Sequence, residues 1–248
     1  MQRRTLATLC VAALLVTAGC AGLTGNGGGA SDAEQVKDDA VAAMQDVDTY
    51  RMEMEMNITA NDRTLSMSQD GVFDHEAKQA RLNMTAYGTE AVVYMDGDMM
   101  YVNAGSRWQT RDLSGQDPWE SGNGITQQQN VLESGDVSVE GTETVDGVET
   151  TVLAVDPDLS ELKALIAQQQ AQSLEGVTID DATYRLYVAT DSNLPRKMEM
   201  AMEMSVDDQS TEVEMTTRFS DYGEPVNVTI PEEATAGSVD FAAAGVAA

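Results

Sequence analysis

Between residues 196 and 206 the chain alternates strictly. Met198, Met200, Met202, Met204 and Val206 hold the even positions, while Lys197, Glu199, Ala201, Glu203 and Ser205 hold the odd ones. Successive side chains of a strand point to opposite faces, so this spacing predicts a strand with one apolar and one wetted face. On a helix the same period would spread methionine around the whole cylinder. Residues 50–60 repeat the pattern, with Met52, Met54, Met56 and Ile58 set against Arg51, Glu53, Glu55 and Asn57. Alternation also turns Leu65 and Met67 inward on residues 64–73, and Leu82 and Met84 inward on residues 80–86. It does the same for Val213, Met215 and Phe219 on residues 211–219.

Turn signals divide the remainder. Asp96-Gly97-Asp98 and Asp146-Gly147 each predict a hairpin, between residues 90–95 and 99–103 and between 136–145 and 148–155. Strands are also expected at 182–190 and 226–230. Ser31 and Glu34 have capping-box spacing ahead of a helix over 32–47. A short helix is expected at 125–132, and Asp158 caps another on which Leu159, Leu162, Leu165 and Ile166 share a face. Residues 112–124 read as a loop. The whole is about ten or eleven mostly antiparallel strands with two or three helices, with no boundary inside 31–231. That is an α+β fold: a strongly curved antiparallel sheet, or incomplete β-barrel, closed by helices. Residues 232–248 read as a disordered tail.

Charge narrows the partners. The 248 residues carry 42 acids against 14 bases, a formal net charge of −28, which repels nucleic acid and anionic headgroups. Acid excess with 5% aromatics suits a protein adapted to molar salt. Arg3-Arg4, an apolar run and Ala18-Gly19-Cys20 mark residues 1–19 as a lipoprotein signal peptide, with Cys20 the lipidated residue. Arg3-Arg4 also reads as a twin-Arg export signal. Cys10 leaves with the leader, so Cys20 is the mature chain's one cysteine. Residues 21–30 form a flexible tether. The expected location is the outward face of the cell membrane, on a lipid anchor and as a monomer.

Catalysis finds little support. His75, the one histidine, stands in a polar stretch that reads as an exposed turn. No phosphate-cradling glycine loop, G-x-S-x-G or H-E-x-x-H occurs, and no cofactor is implied. The methionine strands admit three readings: plain core, a pliable lining for an apolar ligand, or a soft-metal site of thioethers. Methionines two apart on one strand lie roughly 6.5–7 Å apart, too far to share an ion without a neighbouring strand. Asn57, Asn83 and Asn227 are N-x-[ST] sequons whose parity turns them away from the apolar face, where a glycan could sit.

Two stretches carry a family likeness. Residues 191–197, Asp-Ser-Asn-Leu-Pro-Arg-Lys, lead into a long strand, and residues 218–226, Arg-Phe-Ser-Asp-Tyr-Gly-Glu-Pro-Val, lead into Ile230-Pro231. With the Tyr101 to Trp108 segment and the order of elements, they resemble the LolA-like superfamily, and within it the LppX/LprG-type lipoproteins, here in a haloarchaeal-type surface form. The resemblance covers most of 31–231. It implies a half-barrel closed by helices around a hydrophobic cavity that binds or ferries lipids or acyl chains. It also implies that the inward methionines and their neighbours line that cavity, and it supplies no catalytic residue.

Overall fold

The computed structural model describes residues 29–105, 107–121, 124–160, 163, 177–206, 209–236 and 239–240. The signal peptide, Cys20, most of the tether, and Leu162, Leu165 and Ile166 of the helix expected after Asp158 lie outside them.

Helix α1 (Gly29–Gln45) opens the described chain, three residues ahead of its expected start. Six strands follow in meander: β1 (Thr49–Ala60), β2 (Arg63–Asp74), β3 (Gln79–Ala86), β4 (Thr89–Asp96), β5 (Met99–Ala104) and β6 (Arg107–Asp112). Next come helices α2 (Pro118–Ser121) and α3 (Gly124–Ser134), then β7 (Gly135–Val145), β8 (Val148–Pro157), β9 (Val177–Ala189), β10 (Pro195–Val206) and β11 (Gln209–Ser220). Helix α4 (Glu232–Ala236) and the two-residue β12 (Val239–Asp240) end it.

All twelve strands join one open sheet in the order β12-β6-β5-β4-β3-β2-β1-β11-β10-β9-β8-β7. Neighbours are antiparallel except β12, which runs parallel to β6. β1 and β11 pair at the centre, so the first and last long strands zip the two meanders together. Both central residues of the Asn61-Asp62 and Asp146-Gly147 turns have positive φ, the backbone that matches hairpin twist. Gly71 is required by close approach, since a Cβ there would sit 2.9 Å from the Arg81 carbonyl oxygen.

Helices α1 and α3 cover the concave face toward β7 and β8. Between them and the sheet lies the main core of Tyr50, Met52, Phe73, Leu82, Leu153, Leu186, Met198 and Phe219. Gly124 seats α3 on this floor: a Cβ would come 2.7 Å from the Met52 sulfur. Trp119 of α2 donates to the Gly97 carbonyl oxygen at 2.7 Å, tying that helix to the β4–β5 turn.

Three expectations are corrected. Residues 226–230 are irregular, crossing beside β1–β3 as a strap. The expected tail begins instead with α4, whose Ala234 is fully buried, and with β12 on the sheet edge. The loop expected at 112–124 contains α2, and β6 was not anticipated at all.

Candidate functional site

The concave face is ordered into rows by strand register. Toward the helices, Met52 is opposite Phe219 and Gly71, and Met54 is opposite Thr217 and Gln69. The next row aligns Met67, Met56, Met215 and Met200 across β2, β1, β11 and β10. Beyond it run Leu65, Ile58, Val213 and Met202, with Met204 opposite Ile179 at the far edge. Every methionine named from the sequence therefore shares one face, and Glu53, Glu55, Glu199 and Glu203 occupy the other.

Burial splits that face. Met52, Leu82, Met198 and Phe219 are buried in the main core under the helices, while Met202 and Val213 are buried with Ile179 in a smaller cluster beyond the half-buried row. Met54, Met56, Ile58, Met67, Met200, Met204 and Met215 are half-buried. Leu65 and Met84 stand 43% and 37% exposed at the rim. The helices thus fill one end of the trough and a smaller cluster at Met202, Val213 and Ile179 packs part of the other, while the half-buried methionines between them and the rim at Leu65 and Met84 keep apolar surface within reach of solvent.

Polar groups at the boundary escaped the sequence reading. Tyr184 and Gln128 are buried, the phenol donating to the Gln128 amide oxygen, while the Gln128 amide nitrogen donates to the Gly124 carbonyl at 3.0 Å. Burial pushes the Tyr184 phenol well above its ordinary value. It also raises Tyr50, against the opposing pull of the Ile125 and Gly124 backbone N–H groups. Thr217 and Gln69 share parity with the apolar residues of their strands, the one signal that could have placed them inward. His75 occupies its expected turn, yet its ring is half-buried, 5.8 Å from both Tyr50 and Trp119, so the exposed reading is corrected.

The convex face is polar. Tyr187 donates to Glu199 at 2.7 Å, Lys197 donates to the same carboxylate at 2.8 Å, and Arg185 pairs with Glu140 at 2.6 Å. A shallow groove lies between Arg51, Asp70, Arg81 and Asp221 and residues 224–227, which lead into the strap. Asn57 accepts from Ser66 at 2.7 Å and Asn83 donates to Asp70 at 2.8 Å, both half-buried on this face. Asn227 is exposed and accepts from Thr229 at 3.1 Å, but it stands in the strap and not, as its parity had suggested, on a strand. Among the described residues, no group of three His, Cys, Asp or Glu side chains could hold a metal ion, and no helix is long and apolar enough to cross a membrane.

No curated protein matches this sequence. Among solved structures, the lipoprotein LppX of Mycobacterium tuberculosis superposes with a TM-score of 0.54 at 18% identity, covering 79% of this chain and 97% of that one. LprF of Mycobacterium bovis superposes with a TM-score of 0.53 at 14% identity, covering 82% and 98%. The likeness to LppX and LprF thus holds at the level of the fold. Residues 32–239 match a family of unknown function, DUF6612, and the chain belongs to that family.

Proposed function

We propose that this protein is a lipid-anchored, extracytoplasmic lipoprotein that holds a hydrophobic ligand, a lipid or acyl chain, against the half-buried methionines of its concave face. The observation that carries this reading is a half-buried, methionine-rich band on one apolar face, set between the helix-covered main core and a smaller buried cluster. Burying a chain there would contribute about 0.8 kcal/mol per CH₂, offset by the ordering of ligand and wall. Unbranched thioether side chains can re-pack around chains of different shape. Cys20 would carry the anchor, and the tether would let the trough face the membrane or a partner. That the fold neighbour LppX is a lipoprotein supports this location.

The test uses the chain from residue 20 onward with Cys20→Ser, purified from its own lipid background, extracted with organic solvent and examined by mass spectrometry. Co-purifying lipid is expected, together with uptake of an apolar dye that Met56→Glu abolishes. Neither lipid nor dye binding would establish the alternative, a packed surface lipoprotein that binds partners by its exterior.

A further inference from the structure

Methionine is concentrated where strand chemistry does not require it. β-Branched residues suit the interior positions of a sheet better, and the row just beyond uses them at Ile58 and Val213. Yet Met67, Met56, Met215 and Met200 stand directly opposite one another on four adjacent strands. Neighbouring strands lie about 4.8 Å apart, against roughly 7 Å between alternate residues of one strand. Register therefore supplies what spacing along a single strand cannot: thioethers close enough for two or three to converge on one ion. All four are half-buried, so they combine access with partial exclusion of water.

Donor chemistry is sorted between the two faces. On the concave side, the polar neighbours of this row are Gln69 and Thr217, opposite Met54, and the Tyr184 phenol, opposite Met200, none of them a carboxylate. The carboxylates of Glu55, Glu199 and Glu214 alternate with the row's methionines and project to the other side. Hard cations prefer such oxygen ligands, whereas thioethers select soft Cu(I). A net charge of −28 also favours cations over anions at the surface.

We propose that the Met67–Met56–Met215–Met200 row binds a soft monovalent cation of the Cu(I) class through thioether sulfur alone. This row lies on the surface proposed above for the apolar ligand and goes beyond that reading by naming a second ligand class, whose binding needs no lipid to be present. The test titrates the Cys20→Ser chain from residue 20, which holds no thiol, with Cu(I) in the presence of a chromophoric chelator. Methionine methyl groups carry an NMR label. The expected result is withdrawal of about one equivalent of copper, with the methyl resonances of the row shifting together while those of buried Met52 and Met198 hold. Replacing Met56 and Met215 by Leu conserves apolar volume and removes sulfur. Copper affinity should fall at least tenfold in that double variant while its far-UV spectrum stays that of the wild-type fold. Copper left on the chelator by the wild-type chain overturns the proposal, as does unchanged affinity in the Leu variant. Should the variant misfold, the wild-type methyl shifts still decide: movement of other methionines, or of none, refutes the row.

Discussion

Tyr87 holds a left-handed backbone, φ +55°, at the tip of the β3–β4 hairpin, with 69% of its surface exposed. A residue with a Cβ loses roughly 1–2 kcal/mol in that region, while Asn and Gly tolerate it. Tyr87→Asn should raise unfolding stability by about 1 kcal/mol, read from the denaturant midpoint at unchanged slope. The methionines separate in the same currency. Met198→Ala opens a cavity in packed core and should cost about 2–5 kcal/mol. Met67→Ala, at the half-buried row, should cost less, about 1 kcal/mol, because part of its side chain remains in contact with water and the truncation leaves no enclosed cavity. Equal losses would mean that the trough is filled along its full length. Parity alone placed both side chains on one face, because an antiparallel sheet with one wet side must alternate. Parity could not rank them, since burial is decided by α1 and α3, which come from distant stretches of chain. His75 shows the same blindness: its polar neighbours signal a turn, but the stacking on Tyr50 is a tertiary fact.

Strap and edge act as one device at the level of elements. Gly223 donates its backbone N–H to the Thr49 carbonyl at 3.0 Å, the Thr49 hydroxyl donates to the Glu224 carbonyl at 2.9 Å, and Arg51 pairs with Asp221 at 3.0 Å. From there the chain reaches α4, which packs on β5 and β6, and β12 then covers the β6 edge. An uncovered edge strand is a template for pairing with another chain. A chain ending at Pro231 should therefore lose stability and also associate with rising concentration, seen as added mass in sedimentation. Association without destabilisation would mean that α4 shields the edge and adds no packing energy. Neither part was legible in advance. Small residues such as Ala234 carry no period, and in β6 the pattern is inverted. There the inward positions across from Met100 and Val102 are Arg111 and Gln109, while Trp108 lies on the other face, 5.9 Å from Tyr94. A strand at the rim of a core follows its local neighbours, not the core's alternation.

Taken as a whole, the molecule sets two electrostatic effects against each other, and salt decides which one pH reveals. With 42 acids and 14 bases, most carboxylates find no cation, and Glu203 stands opposite both Glu212 and Asp181 on the convex face. That self-repulsion works against the compact state and extends about 30 Å at 0.01 M salt but only about 3 Å at 1 M. Stability should therefore rise steeply with added salt at pH 7. A second effect has the opposite sign. Partial burial works to raise the Glu199 carboxyl, but hydrogen bonds from Lys197 and Tyr187 outweigh it and hold the group below its ordinary 4.5. The Arg185 hydrogen bond does likewise for Glu140. A carboxyl lowered in the folded state stabilises above its unfolded value and loses that contribution as pH falls through the lowered one. At low salt, acidification from pH 7 toward the isoelectric point near 4.1 should first stabilise the fold by discharging repulsion. At molar salt the repulsion is already screened, so the same titration should only destabilise, beginning below 4.5 and weakened in Glu199→Gln. Thermal midpoints over the two pH series check the reversal; slopes of one sign at both salt concentrations would show that pairing, and not net charge, governs this acidic sheet.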